Sequence, residues 1–141
     1  MTVRPAAEAD YEQLMRLYNG FVDEDRYSRH DNDSFNKVLN SPTNFIFVAE
    51  EANKLIGFIS LSIRSVVRYK KPIAEVDEIY LAPQTRSKGY GKALMQAVID
   101  KAKELNCHKL YVESAYKWKV AHKFYESIGF TNYGIHFYLN L

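Results

Sequence analysis

The run Arg86-Ser87-Lys88-Gly89-Tyr90-Gly91-Lys92 has residue types and spacing that suit an anionic ligand. Gly89 and Gly91 carry no Cβ, so the backbone there can approach a ligand closely. An amphipathic pattern begins directly behind them. The amides of residues 88–92 are therefore expected at a helix N-terminus, where unpaired N–H donors and a partial positive charge favour phosphate. Arg86, Lys88 and Lys92 add full positive charge. Two nucleotide loops are excluded by particular residues. A Walker A loop would need a hydroxyl after Lys92, where Ala93 stands, and a glycine where Arg86 stands. A dinucleotide fingerprint would need a small residue where Leu94 stands.

A strand and a helix must hold this turn. Val76, Ile79, Tyr80 and Leu81 are β-branched, aromatic or apolar residues that suit a pleated strand, and Pro83 ends it because it cannot donate to a ladder. Behind the glycines, Leu94, Ala97, Val98, Ala102 and Leu105 form one apolar stripe, which predicts a sheet-packing helix of roughly four turns. Upstream, a short strand at Val3–Arg4 precedes a helix marked by Leu14, Leu17, Tyr18 and Phe21, with Gly20 at its end. A charged loop and a short helix over Ser34–Leu39 follow. The segments Asn44–Glu50 and Leu55–Ile63 read as a hairpin around Glu51–Lys54, and the latter shows period-two alternation of Ser60 and Ser62 with Ile59, Leu61 and Ile63. After the glycine-turn helix come a strand at His108–Glu113 and a helix with Ala121, Phe124, Tyr125 and Ile128 on one face, stopped by Gly129. Strands are expected from Phe130 and over Gly134–Leu141. This order predicts a single α/β domain over residues 1–141.

Composition bounds the remaining possibilities. A hydrophobic fraction of 47% and an aromatic fraction of 14% imply a packed core. A formal net charge of +2 is too small to imply nucleic acid by bulk electrostatics. Cys107 is the single cysteine, which excludes an intrachain disulfide and suits a reducing compartment. The longest apolar run, Phe45–Ala49, falls far short of the roughly 18 residues a membrane helix needs, and the charged N-terminus leaves no room for a signal core. A cytoplasmic protein with no membrane partner is expected. No His/Cys cluster has ligand spacing, so no metal is expected.

Arg86-x-x-Gly89-x-Gly91 after a strand ending Tyr-Leu-Ala-Pro resembles motif A of the GNAT superfamily of N-acetyltransferases. Ala121-x-x-Phe124-Tyr125-Glu126-x-x-Gly129-Phe130 resembles its motif B, in the same order and at a similar separation. The resemblance implies a GNAT fold with a mixed, mostly antiparallel sheet of about six or seven strands, splayed at the central strand, and about four helices. It implies acetyl-CoA as cosubstrate and direct attack by a primary amine in a ternary complex. Arg86, Ser87, Lys88, Gly89, Tyr90, Gly91 and Lys92 would hold the CoA pyrophosphate. The backbone of Ile79, Tyr80 and Leu81 would bond the pantetheine arm, with one N–H available to polarise the thioester carbonyl. Tyr125 would protonate the leaving thiolate, although packing on its helical stripe would also explain the residue.

The resemblance further implies a glutamate on the central strand that takes the amine's proton, directly or through water. Glu75 and Glu78 both match positions used by the family, and strict alternation puts Glu78 on the face opposite Glu75 and Asp77. Trp118 stands where many members carry an asparagine that contacts the pantetheine arm, which puts that contact in doubt. The loop from Phe21 to Asp33 would line the acceptor pocket. The pairing of Ala121–Tyr125 with His136-Phe137 resembles small-molecule members of the superfamily, including aminoalkylphosphonate acetyltransferases. A small-molecule amine is the expected acceptor. The alternatives are a protein N-terminus or lysine, and a non-catalytic acyl-CoA-binding module. A strand over Gly134–Leu141 would either close the sheet or pair across a homodimer.

Overall fold

A computed structural model describes residues 1–21 and 31–141. Most of the charged loop, including Asp23, Glu24, Asp25, Arg26, Arg29 and His30, lies outside the described residues. The chain forms two compact units, Met1–Tyr111 and Val112–Leu141.

The first unit is built on a sheet in which β1 (Thr2–Pro5), β2 (Asn44–Glu51), β3 (Lys54–Arg64), β4 (Ile73–Leu81) and β5 (Leu110–Val112) lie in sequence order. The pairs β1–β2, β2–β3 and β3–β4 are antiparallel. Beyond β4, Ala74 N–H donates to Lys109 O and His108 N–H to Pro72 O, bonds that advance in the same direction along both segments. The sheet is therefore mixed. β2 and β3 are joined by Ala52 and Asn53, both left-handed (φ 49° and 61°), as a two-residue hairpin matched to strand twist requires.

Helices cover both faces. On one side α1 (Tyr11–Phe21) and α2 (Asn32–Leu39) pack their apolar stripes on β2 and β3. Leu14, Tyr18, Phe35, Ile46, Val48, Leu55 and Phe58 form the buried cluster there. Asp31 caps α2, accepting from Ser34 N–H at 2.7 Å. α1 runs one residue past Gly20, whose bare Cα lies against Tyr80: a Cβ would stand 2.5 Å from the Tyr80 hydroxyl oxygen. The residue marks a close approach of helix to strand. On the opposite face α3 (Tyr90–Glu104) buries Leu94, Met95, Val98 and Ala102 against the sheet.

Arg4 fastens the start of the chain to this sheet. Its guanidinium donates to both oxygens of Asp10, at 2.7 and 2.9 Å, and to Glu50 at 2.7 Å. Asp10 is buried and also accepts from Ala7 N–H at 2.8 Å. These bonds hold its carboxyl below the usual carboxylate range, with the Arg4 hydrogen bonds the largest cause.

The second unit contains α4 (Lys119–Ser127). Its end explains the spacing Tyr125-x-x-x-Gly129-Phe130. Gly129 is left-handed (φ 99°), its N–H donates to Glu126 O at 3.0 Å, and Phe130 N–H reaches back to Tyr125 O at 3.0 Å. Those two bonds are a Schellman cap, and the accompanying apolar contact is present, with the Tyr125 and Phe130 ring centroids 5.9 Å apart. α3 ends in the same way through Asn106 (φ 55°) and Cys107.

The strand expectation is corrected here. The sheet has five strands among the described residues, not six or seven, and neither Phe130 nor Gly134–Leu141 is a strand. Residues 135–141 keep a period-two apolar pattern, which records only which face a segment can bury and does not by itself make a strand.

Candidate functional site: an acid-floored cavity and a glycine turn

β4 carries the acids, and a bulge decides where they point. Ser62 faces Glu75, Leu61 faces Val76, and Ser60 faces Glu78, so Asp77 is the extra residue on β4. Ser60 and Ser62 share one face of β3, and their partners Glu78 and Glu75 therefore share that face too. The expectation that alternation separates Glu78 from Glu75 and Asp77 is thus overturned, because an unpaired residue resets the period of two. The side-chain bonds agree. Ser60 Oγ donates to Glu78 Oε2 at 2.7 Å, Ser62 Oγ donates to Asp77 Oδ1 at 3.0 Å, and Arg64 is ion-paired with Glu75.

The two glutamates now differ. Glu78 and Asp77 line a cavity of about 270 Å³ between the sheet and helices α1 and α2, walled by Met15, Tyr18, Phe35 and Ile46. Tyr18 Oη donates to Glu78 Oε2 at 2.6 Å, so this oxygen accepts from one hydroxyl on α1 and another on β3. Glu75 is not among the lining residues and is held by Arg64. The Asp77 carboxyl is pushed up, first by partial burial against the sheet, with the Ser62 hydroxyl opposing and the charges of Glu75 and Glu78 adding to it. A larger open groove of about 800 Å³ between β1, β2 and α3 contains none of the candidate residues.

At its other end β4 runs into the glycine turn. Pro83–Thr85 form a single 3-10 turn anchored by buried Thr85, whose hydroxyl donates to Ala82 O at 2.7 Å. Arg86 folds back, donating from Nε to Leu81 O at 3.0 Å with its guanidinium 5.7 Å from the Tyr80 ring centroid. Ser87 and Gly89 are both left-handed (φ 63° and 81°), and Gly89 is the N-cap of α3. The first helical bond runs from Ala93 N–H to Gly89 O, which leaves the amides of Tyr90, Gly91 and Lys92 outside the ladder. A Cβ placed on Gly89 would meet nothing within 4 Å, so the turn opens outward. Exposed Lys88 and Lys92 flank it. Tyr90 turns away to donate to Glu51 Oε1 at 2.6 Å. Free amides, cationic flanks and open space together fit a diphosphate group.

In the second unit, Tyr125 is 8% exposed, and burial pushes its phenol above the ordinary value. Trp118 is the N-cap of α4 and over half exposed, with Lys117 Nζ 5.0 Å from the ring centroid.

Sequence reasoning missed Tyr18, Ser60 and Asp77 as parts of the cavity. Tyr18 carried only the signal of a core stripe, and the serines only that of a half-buried strand. The bulge that aligns them with Glu78 has no local signature in the residues of β4.

Against known proteins, the Acetyltransferase (GNAT) family model matches residues 10–130. An uncharacterized N-acetyltransferase of Methanocaldococcus jannaschii is 26% identical over 138 residues, covering 92% of this chain; the chain spans 60% of that relative's length. Among solved structures, a putative acetyltransferase from Agrobacterium tumefaciens superposes with a TM-score of 0.91 at 26% identity, covering 100% of both chains. An aminoglycoside acetyltransferase from an uncultured soil metagenomic sample, in complex with trehalose, gives 0.89 at 25% identity and covers 99% of this chain and 95% of its own. With a match that reaches from α1 through the α4 cap, the chain belongs to the GNAT family of acetyltransferases.

Proposed function

We propose that this protein transfers the acetyl group of acetyl-CoA to a primary amine on a small molecule. One observation carries the reading: a single strand, β4, runs from an acid-floored cavity at Glu78 to an anion-binding helix start at Gly89. Bound acetyl-CoA supplies the acetyl thioester that the amine attacks. The amides of Tyr90, Gly91 and Lys92, with Lys88 and Arg86, bind its diphosphate; Ser87 and Gly89 shape the turn. The backbone of Ile79, Tyr80 and Leu81 orients the pantetheine arm, and one N–H there polarises the carbonyl. A splay of β4 from its neighbour belongs to the same proposal.

Glu78 is the proton acceptor. An alkylamine with a pKa of about 10.4 is mostly protonated at neutral pH and must lose a proton before attack. Glu78 lines the cavity, whereas Glu75 is engaged by Arg64. Asp77 adds a second acid beside Glu78, which favours a cationic acceptor. Tyr125 Oη donates a proton to the departing sulfur; its place in motif B and the burial that keeps it protonated support this role. The protein's partners are thus acetyl-CoA and a small amine, within a single acetyltransferase domain. The small volume of the cavity supports this acceptor class over a peptide, as does the aminoglycoside acetyltransferase among the structural neighbours.

CoA release measured across a panel of small amines and peptides tests the reading. Turnover with small cationic amines supports it. Turnover with peptides alone would move the acceptor to a protein amine. Acetyl-CoA binding without CoA release on any amine would leave a binding module.

A further inference from the structure

Tyr90 is the first residue of α3, and its side chain leaves the helix for the end of β2. The hydroxyl donates to Glu51 Oε1 at 2.6 Å, a short bond of the kind made to a charged acceptor. Glu51 is the last residue of β2 and pairs with Lys54 across the two-residue turn Ala52–Asn53, so it stands at the root of a tight hairpin. The other end of the bond has less support of its own. The turn before α3 passes through two left-handed residues, Ser87 and Gly89, and Ser87 bears a Cβ that resists that conformation. The first helical bond is donated by Ala93, so the N–H groups of residues 90–92 take no part in the ladder. Upstream, Thr85 holds the turn through Ala82 O and Arg86 through Leu81 O. Downstream, among the described residues, the side-chain hydrogen bond that anchors residues 87–92 is the one from Tyr90 to Glu51.

We infer that Glu51 is a positioning residue for the acetyl-CoA diphosphate, acting through the Tyr90 hydroxyl to fix the free amides of Tyr90, Gly91 and Lys92. The inference rests on the cofactor reading above, which assigns those amides to the diphosphate. A carboxylate beside a cationic turn opposes anion binding by its charge alone. Its contribution is therefore geometric. With the hydroxyl anchored on Glu51, the Tyr90 ring cannot swing across the open space at Gly89. Donors already held in place bind without the entropy cost of ordering them at the moment of binding. The hydrogen bond to Glu51 also raises the phenol's pKa above its ordinary value, so the donor keeps its proton through the neutral range.

Titration calorimetry of the full chain with acetyl-CoA tests the role without relying on turnover. Glu51→Gln and Glu51→Ala remove the same charge, and only the glutamine keeps an acceptor for Tyr90. The Kd is expected to be about tenfold weaker for Glu51→Ala than for Glu51→Gln, the worth of one hydrogen bond. Tyr90→Phe keeps the ring and loses the donor, and should weaken binding about tenfold against the parent. Adding it to Glu51→Ala should weaken binding by less than about twofold more, because the bond is already gone. Equal Kd values for Glu51→Gln and Glu51→Ala, or fully additive losses in the double variant, would overturn the inference. So would a lower melting temperature with Kd unchanged, the mark of a bond that serves the fold alone. Should Glu51→Ala fail to fold, Tyr90→Phe and Glu51→Gln carry the comparison: weak binding in the first with near-parent binding in the second supports the role, and equal binding overturns it. A parent that binds no acetyl-CoA overturns the cofactor reading and this inference with it. A parent that binds, matched by all of its variants, overturns the inference alone.

Discussion

The Tyr18 hydroxyl donates to Glu78 Oε2 at 2.6 Å, tying the last turns of α1 to the centre of β4. Ser60 donates to the same oxygen, so Oε1 takes neither bond and the carboxylate is fixed in rotation. Tyr18 is also part of the core, its ring centroid 4.3 Å from that of Phe58. A phenylalanine would keep that stacking and remove only the hydroxyl. In Tyr18→Phe, kcat is expected to fall about tenfold to a hundredfold, the worth of one hydrogen bond to a charged group. The KM for acetyl-CoA should barely move. A fall in stability with kcat intact would show that the hydroxyl serves packing alone.

Glu78→Gln is the direct test of the proton acceptor. The amide preserves size and accepts from Tyr18 and Ser60 through its remaining oxygen but cannot take a proton. Turnover is expected to fall about 10²–10⁴-fold, with acetyl-CoA affinity unchanged by calorimetry. Glu75→Gln should cost far less, because Glu75 is held by Arg64 and lies outside the cavity lining. Equal losses in the two variants would return the choice between the glutamates to an open question.

Tyr125→Phe should retain acetyl-CoA binding and lose most turnover, about 10²-fold or more if proton donation limits the rate. The sign of its pH dependence follows from burial, which raises the phenol's pKa above its ordinary 10.0. The proton-bearing form therefore persists across the neutral and moderately alkaline range. No loss of rate assignable to Tyr125 is expected below that value. A phenol-dependent alkaline limb near neutrality would contradict the assignment.

Gly89→Ala tests the glycine turn. At φ 81° an alanine is strained by about 1–2 kcal/mol even though its methyl meets no atom. Thermal unfolding should show that modest loss. The methyl would also project into the open space assigned to the diphosphate, so acetyl-CoA affinity should fall by more than strain alone predicts. Retained affinity in a folded variant would place the phosphates elsewhere.

The Arg4–Asp10 pair predicts an acid-labile N-terminus. The folded-state pKa of Asp10 lies below its ordinary 3.8, so its contribution to stability is complete above that value and is lost as pH falls through the folded pKa. Asp10→Ala should cost about 1–3 kcal/mol at neutral pH by leaving Arg4 and the Ala7 amide short of their acceptor. Between about pH 6 and pH 3 the parent protein should lose more stability than this variant. Parallel denaturation midpoints across that range would refute the linkage.

Local chemistry made much of this molecule readable in the residues alone. Pro83 ending β4, Gly89 capping α3, the Ala52–Asn53 hairpin and the apolar stripes of α1 and α3 follow from rules that act within a few residues. The motif pattern that led to the family is equally local: the Gly129-Phe130 ending is a helix cap, and the Arg86–Gly91 run is a helix start. What only the tertiary structure decided depends on partners distant in sequence. The bulge at Asp77 appears only when β4 is laid against β3, and it gathers Glu75, Asp77 and Glu78 on one face. Tyr18, read as a core residue, reaches Glu78 from 60 positions away. Residues 135–141 have a strand's alternation without being a strand, because alternation records only which face a segment can bury.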